Sequence, residues 1–182
     1  MSLKSPSFLL SFFLLFFSIS PLLSQTQIFQ RGKVQFTCDT RFGKVTGSFS
    51  KINPIQFDSV KKIAKIQIDI SSISTGNSMR DRHLKAEDFF HAEKFPHAFF
   101  EITSLQEDKG NLLKLSGKLT IKDITKDVDF PVEVQESNSI RTYKGSLQVN
   151  RRDFQLNYDS LINPIQDSVL IEITAIVEVK KP

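Results

Sequence analysis

The chain has one cysteine, Cys38, so no intrachain disulfide can form and the fold must rest on the size of its core. It has little excess charge. The formal net charge is +4, and one less if Lys4 is removed, which is too weak for a nucleic-acid footprint. Beyond residue 24 there is no apolar run of the ~20 residues a membrane helix needs. There is also no Gly-x-Ser-x-Gly elbow, no phosphate-cradling glycine loop and no His-Glu-x-x-His helix. His83, His91 and His97 stand near Asp88 and Glu93, but their spacings of eight and six match no standard metal pattern. No metal, cofactor or nucleic acid is therefore expected.

What is present begins with a leader. Lys4 is a small positive start, Phe8 to Phe17 is an apolar run, and Ser20-Pro21-Leu22-Leu23-Ser24 supplies a break and a small residue before Gln25. That order reads as a secretory signal peptide over residues 1–24, leaving 25–182 as one domain. An uncleaved anchor is the alternative, but the run is short and Pro21 interrupts it. Cys38 reads as a small buried side chain in a strand, with a reactive or intermolecular thiol as the alternative.

Most of the remaining chain alternates apolar and polar residues, the period of a half-buried strand. Val34, Phe36 and Cys38 pair in pattern with Val45, Gly47 and Phe49 around a turn at Thr40-Arg41-Phe42-Gly43. Asn53-Pro54 and Asp58-Ser59 mark a loop, and Ile66, Ile68 and Ile70 a strand. Further stripes run through Ala98, Phe100 and Ile102, then Leu113 to Ile121 with Leu119, then Val128, Phe130 and Val132. The last two carry Leu147 and Ile173. The segment from Ser78 to Pro96 breaks this pattern. It predicts a short helix around His83 to Phe90 with Leu84, Phe89 and Phe90 turned inward, ended by Pro96.

These segments predict an all-β fold: an eight-stranded antiparallel barrel with a short helix or loop insertion around residues 78–96. An eight-stranded barrel is filled by its own side chains or holds one slender ligand, and the pattern leaves both open. Arg80, Asp81 and His83 read either as a brace for the insertion or as partners of a polar head group. Arg151 poses the same choice, whereas Arg152 reads as a solvated surface residue.

A set of motifs recurs in order across nearly all of residues 25–182: Ser74-Thr75-Gly76-Asn77, Arg80-Asp81-x-His83-Leu84 and Asp88-Phe89-Phe90. Lys94-Phe95-Pro96-x-Ala98-x-Phe100, Gly117-x-Leu119-Thr120-Ile121 and Thr125-Lys126-x-Val128 follow, and then Val149-Asn150-Arg151-x-Asp153-Phe154. In these the chain resembles the YceI-like family of polyisoprenoid-binding, lipocalin-like barrels. The resemblance implies an exported, periplasmic or extracellular, non-enzymatic protein, with a homodimer reasonable. Its ligand would be a long-chain isoprenoid or other amphiphilic lipid in an apolar tunnel. Phe36, Phe49, Ile68, Leu84, Phe89, Phe90, Phe100, Leu119, Phe130, Leu147 and Ile173 would then line the tunnel. Asp123 and Gln155 stand where the family commonly has glycine, and the segment before Val34 leaves little room for a first strand. Two other readings remain at this stage. One is an enzyme using His83 and Asp81 as an acid–base pair. The other is a filled barrel acting as an envelope interaction or stress-response module.

Overall fold

The alternating stripes form antiparallel strands, and the one aperiodic stretch forms the helix. The computed structural model describes residues 26–58, 61 and 63–180, so the leader expected over residues 1–24 lies outside the described residues. In chain order the strands are β1 (Thr26–Thr40), β2 (Gly43–Phe49), β3 (Ile52–Asp58), β4 (Ile63–Asp69) and β5 (Ile73–Ser74). Helix α1 (Ser78–Lys85) follows. Then come β6 (His97–Glu107), β7 (Leu112–Ile121), β8 (Ile124–Ser137), β9 (Ile140–Asn150) and β10 (Ile165–Lys180).

They make one ten-stranded sheet in the order β3-β4-β6-β7-β8-β9-β10-β1-β2-β5. The count exceeds eight because two long strands are each broken once. Ser50 and Lys51 separate β2 from β3, and a 3-10 turn at Ile70–Ser72 separates β4 from β5. The breaks face each other: the Ser50 N–H donates to the Ser72 carbonyl at 3.4 Å and the Asp69 N–H to the Lys51 carbonyl at 3.0 Å. The sheet's two end strands, β3 and β5, are thus continuations of β2 and β4, which curls the sheet back upon itself. Taken as two bent strands, they restore the count of eight and leave few free edges.

Three local expectations are corrected. β1 begins at Thr26, well before Val34. Its register shifts between Phe29 and Arg31, so Gln30 is an extra residue that reverses which side chains face inward. A strict period-two reading stops at such a bulge. The Asn53-Pro54 loop is strand β3, where Pro54 sits beside a register shift that absorbs its missing N–H. The helix expected around His83 to Phe90 instead runs from Ser78 to Lys85, with Phe89 and Phe90 in the turns after it. Asn77 caps it by accepting from the Arg80 N–H at 3.0 Å, so its first turn is set by an asparagine and not by the apolar pattern.

Inward glycines decide how the core packs. Gly47, Gly117 and Gly145 each lie under a phenylalanine from the neighbouring strand. Gly47 lies directly across from Phe36 and under its ring. A Cβ on Gly145 would come within 2.7 Å of the Phe130 ring. Phe100 and Phe130 pack at a centroid distance of 6.0 Å and, with Leu115 and Val132, fill the β7–β8 side of the barrel. The outer face there carries exposed Lys114, Lys118, Asp127 and Asp129. Apolar inside and charged outside is the reverse of an outer-membrane barrel. Among the described residues no helix is long and apolar enough to cross a membrane.

Candidate functional site

The remaining interior is not filled. Strands β1 to β4, β6, β7, β9 and β10 enclose an elongated cavity of about 330 Å³. It reaches from Phe29 and Ala175 to Thr40 and Ser160. That span is roughly 25 Å at ordinary strand rise and barrel tilt. Phe36, Phe49, Ile68, Phe100, Leu119, Leu147 and Ile173 line its walls, and Leu84, Phe89 and Phe90 line it from the insertion. Phe130 does not. Its ring is buried against Gly145 and Phe100 and belongs to the packed side of the barrel. The insertion is docked by aromatic contacts: Phe90 meets Phe49 edge-on at 6.2 Å, and Phe49 meets Phe36 at 5.8 Å.

Polar groups gather at the Thr40 end, where Cys38, Arg80, His83, Arg151, Tyr158, Ser160 and Asn163 line the cavity. Among the described residues no carboxylate does. Thr75 organises the helix start. The Arg80 Nε donates to Thr75 Oγ1 at 2.8 Å and Nη2 to the Thr75 carbonyl at 3.0 Å. Asp81 accepts from the Thr75 N–H and hydroxyl at 2.8 and 2.6 Å. Asp81 is therefore a brace outside the cavity. Arg80 reaches the cavity, with no carboxylate paired to it among the described residues. His83 Nε2 lies 3.0 Å from Asp88 Oδ2, and its ring packs edge-on to Tyr158 at 4.3 Å. The His83–Asp81 pair that acid–base chemistry would need is not formed.

Arg151 is 2% exposed. Nη1 donates to the carbonyls of Leu156 and Tyr158, and Nη2 donates to Asp159 and the Ile165 carbonyl. Asp167 adds an ion pair at 2.9 Å. Arg152 is also tied down, at 2.7 Å to Asp159 and 2.8 Å to Asp167, and so is not a free surface cation. These contacts fold the loop between η-turn Arg151–Phe154 and β10 over the end of the barrel, burying Phe154 and Leu156. Gln155 supports that turn in the left-handed region, φ 54°, which explains why glycine suits the position. Among the described residues two buried side-chain polar atoms have no hydrogen-bond partner: Arg151 Nε and Asn163 Oδ1. Both belong to residues that line the cavity.

The sequence pattern did not single out Cys38, Tyr158 or Asn163 as lining. Cys38 alone was legible, through its place in the Val34–Phe36 stripe. Burial pushes the Cys38 thiol up, the charge of Asp39 adds to this, and Arg80 and Arg151 pull the other way. Cys38 should therefore alkylate more slowly than free cysteine near neutral pH. A long-chain polyprenol in the cavity should slow it further, as followed by intact mass. Alkylation at the free-thiol rate, unchanged by ligand, would contradict this placement. His91 and His97 lie apart from His83, packed on Phe95 and Phe99. Among the described residues no three His, Cys, Asp or Glu side chains converge to hold a metal ion.

Comparison with known proteins follows the same lines. Residues 26–177 match the YceI-like domain. UPF0312 protein SA2479 of Staphylococcus aureus is similar, 31% identical over 132 residues, which is 65% of this chain and 73% of that protein. Among solved structures, BcnA of Burkholderia cenocepacia superposes with a TM-score of 0.72 at 27% identity, covering 80% of this chain and 95% of that one. A polyisoprenoid binding domain from Saccharophagus degradans, implicated in plant cell wall breakdown, has a TM-score of 0.70 at 15% identity. That match covers 86% of this chain and all of that one and speaks to the fold.

Proposed function

The chain belongs to the YceI-like domain family, and from that premise we propose that it binds and carries a long-chain amphiphilic lipid of the isoprenoid type without chemically changing it. One observation carries the reading. The curled sheet encloses a cavity of about 330 Å³ whose walls are almost wholly apolar and most of whose polar side chains gather at one end, with Lys33 and Thr174 at the other. Apolar cavities stay dry, and an apolar tail entering one gains ~25 cal/mol per Å² buried, before the costs of association. The polyisoprenoid-binding neighbour in the same fold supports this cargo class.

In this reading the tail lies along Phe100, Leu119, Leu147 and Ile173. An oxygen-bearing head group takes up the unmet hydrogen-bonding capacity of Arg80, Arg151 Nε and Asn163 Oδ1, and His83 closes the end. The protein needs no cofactor. Residues 1–24 direct export, the site of action is the periplasm or outside the cell, and the working form is a homodimer. A barrel filled by its own side chains and acting through its surface finds less support, because this volume is left unfilled. An enzyme built on His83 has no Asp81 partner.

The test is native mass spectrometry of the protein followed by organic extraction. The expected result is a dimer mass with one lipid per chain, the lipid extracting as a polyprenyl or similar long-chain species. A protein that carries no lipid and takes up neither polyprenol nor quinone would overturn the cargo reading.

A further inference from the structure

The cavity ends blind along the barrel axis, away from its polar end. Beyond Phe29 and Ala175 the barrel is packed: Ala64, Leu115, Val132, Val177 and Val179 are buried and do not line the cavity. A tail longer than the span of roughly 25 Å has no room to continue straight on. The wall beside that end is not closed. β1 pairs with β10 from Thr26 to Thr40, but with β2 only from Val34 onward. β3 ends the sheet and, among the described residues, pairs only with β4. Residues 26–33 of β1 and strand β3 thus face each other as two unpaired edges. They touch at one point, where a Cβ on Gly32 would come 3.3 Å from Ile52 Cγ2.

The seam between these edges borders the cavity. Phe29, Gly32 and Lys33 on one lip and Ile52 on the other line it. Ile28, 36% exposed, and Ile55, 50% exposed, meet solvent, one on each lip. In β3 the successive residues Asn53 to Gln56 are all exposed, so neither face of that strand is covered there. An unpaired edge invites another strand, and Pro54, which has no N–H to offer, works against that. Apolar side chains inside and outside the seam, with a proline on one edge, suit a flexible apolar chain better than a strand. We propose that the seam between β1 and β3 lets the far end of a long isoprenoid tail leave the cavity sideways, so that the protein accepts tails longer than its cavity. The surplus tail lies against Ile28 and Ile55. This rests on the cargo reading and adds a length specificity to it: the cavity sets how much tail is buried, not how much the ligand carries.

The test compares two alcohols in the same detergent micelles, each displacing labelled geranylgeraniol. One is geranylgeraniol itself, whose extended tail fits the cavity span, and the other is undecaprenol, whose tail exceeds it. The parent should bind undecaprenol at least as tightly as geranylgeraniol. The variant I28E/I55E sets charges where the surplus tail lies, and it should melt as the parent does because both positions are exposed. It should lose about tenfold in affinity for undecaprenol and less than about twofold for geranylgeraniol. Ile55→Glu alone should show the same selectivity in smaller measure. A parent that binds geranylgeraniol but rejects undecaprenol would overturn the seam and leave the cargo reading standing. So would a variant that loses equally for both alcohols or for neither. A parent that binds neither alcohol would overturn both proposals. A parent dimer that dissociates in the variant would overturn the seam, since a second copy would then cover it.

Discussion

Arg151→Met should lower stability by about 3 kcal/mol or more, a fall of roughly 10 °C in melting temperature for a domain of this size. The methionine side chain follows the arginine stem as far as Nε and is apolar, so the packing of the stem is kept and lost stem volume is not the main cause. The cause is what the guanidinium leaves behind. Three backbone carbonyls, those of Leu156, Tyr158 and Ile165, lose a donor at a site where Arg151 is 2% exposed. Buried acceptors without partners each cost about 1–3 kcal/mol. Asp159 and Asp167 are more exposed and keep Arg152, so their part is smaller. Arg151→Lys should recover little, because one ammonium cannot reach three carbonyls set around a planar fork.

Thermal melts of both variants test this. A melting temperature within about 2 °C of the parent would mean that the loop is held by Phe154 and Leu156 alone. The pH dependence has a definite sign. Hydrogen bonds from Arg152 and then Arg151 hold the Asp159 carboxyl below its ordinary value. A depressed carboxylate stabilises the fold fully above the unfolded value, ~3.9, and loses that contribution as pH falls through the folded value. Asp159 should therefore add no pH dependence between about pH 5 and 8.

The second large effect is on binding. Val45 and Val169 flank Cys38 from the two neighbouring strands, and all three line the cavity. The double variant V45F/V169F places two rings in the unfilled volume near the polar end. Affinity for a labelled polyprenol should fall roughly a hundredfold, about 2.7 kcal/mol. Stability should change little, because the added atoms enter empty space and not packed core. Full uptake with the fold intact would mean that the lipid lies elsewhere. A variant that neither binds nor folds cooperatively would mean that the cavity does not exist in solution at its present size.

The strands were legible because their signal is local. Apolar and polar residues alternate wherever one face is buried, so β6 to β9 follow directly from stripes such as Leu113 to Ile121. The signal failed where the chain departs from period two. The bulge at Gln30 hid the first half of β1, Pro54 masked β3, and two breaks made ten strands of eight. Apart from Leu84, Phe89 and Phe90 of the insertion, the residues proposed for the tunnel wall came from the same stripes, and Phe130 shows the limit of that method. It faces inward as Phe100 does, yet it packs on Gly145 and stays out of the cavity.

The sequence by itself determined the class of fold, the inward face of most strands and the likeness to a lipid-binding family, since each depends on residue order along the chain. Only the tertiary structure decided that the barrel is part filled and part hollow. An inward stripe is the same whether its side chains meet their neighbours or stop short of them, and the difference lies in which glycine sits beneath which ring. Tertiary structure also separated the arginines. Arg151 is locked because Asp159, Asp167 and three carbonyls fold back onto it, while Arg80 has no carboxylate partner among the described residues because Asp81 turns to Thr75 instead.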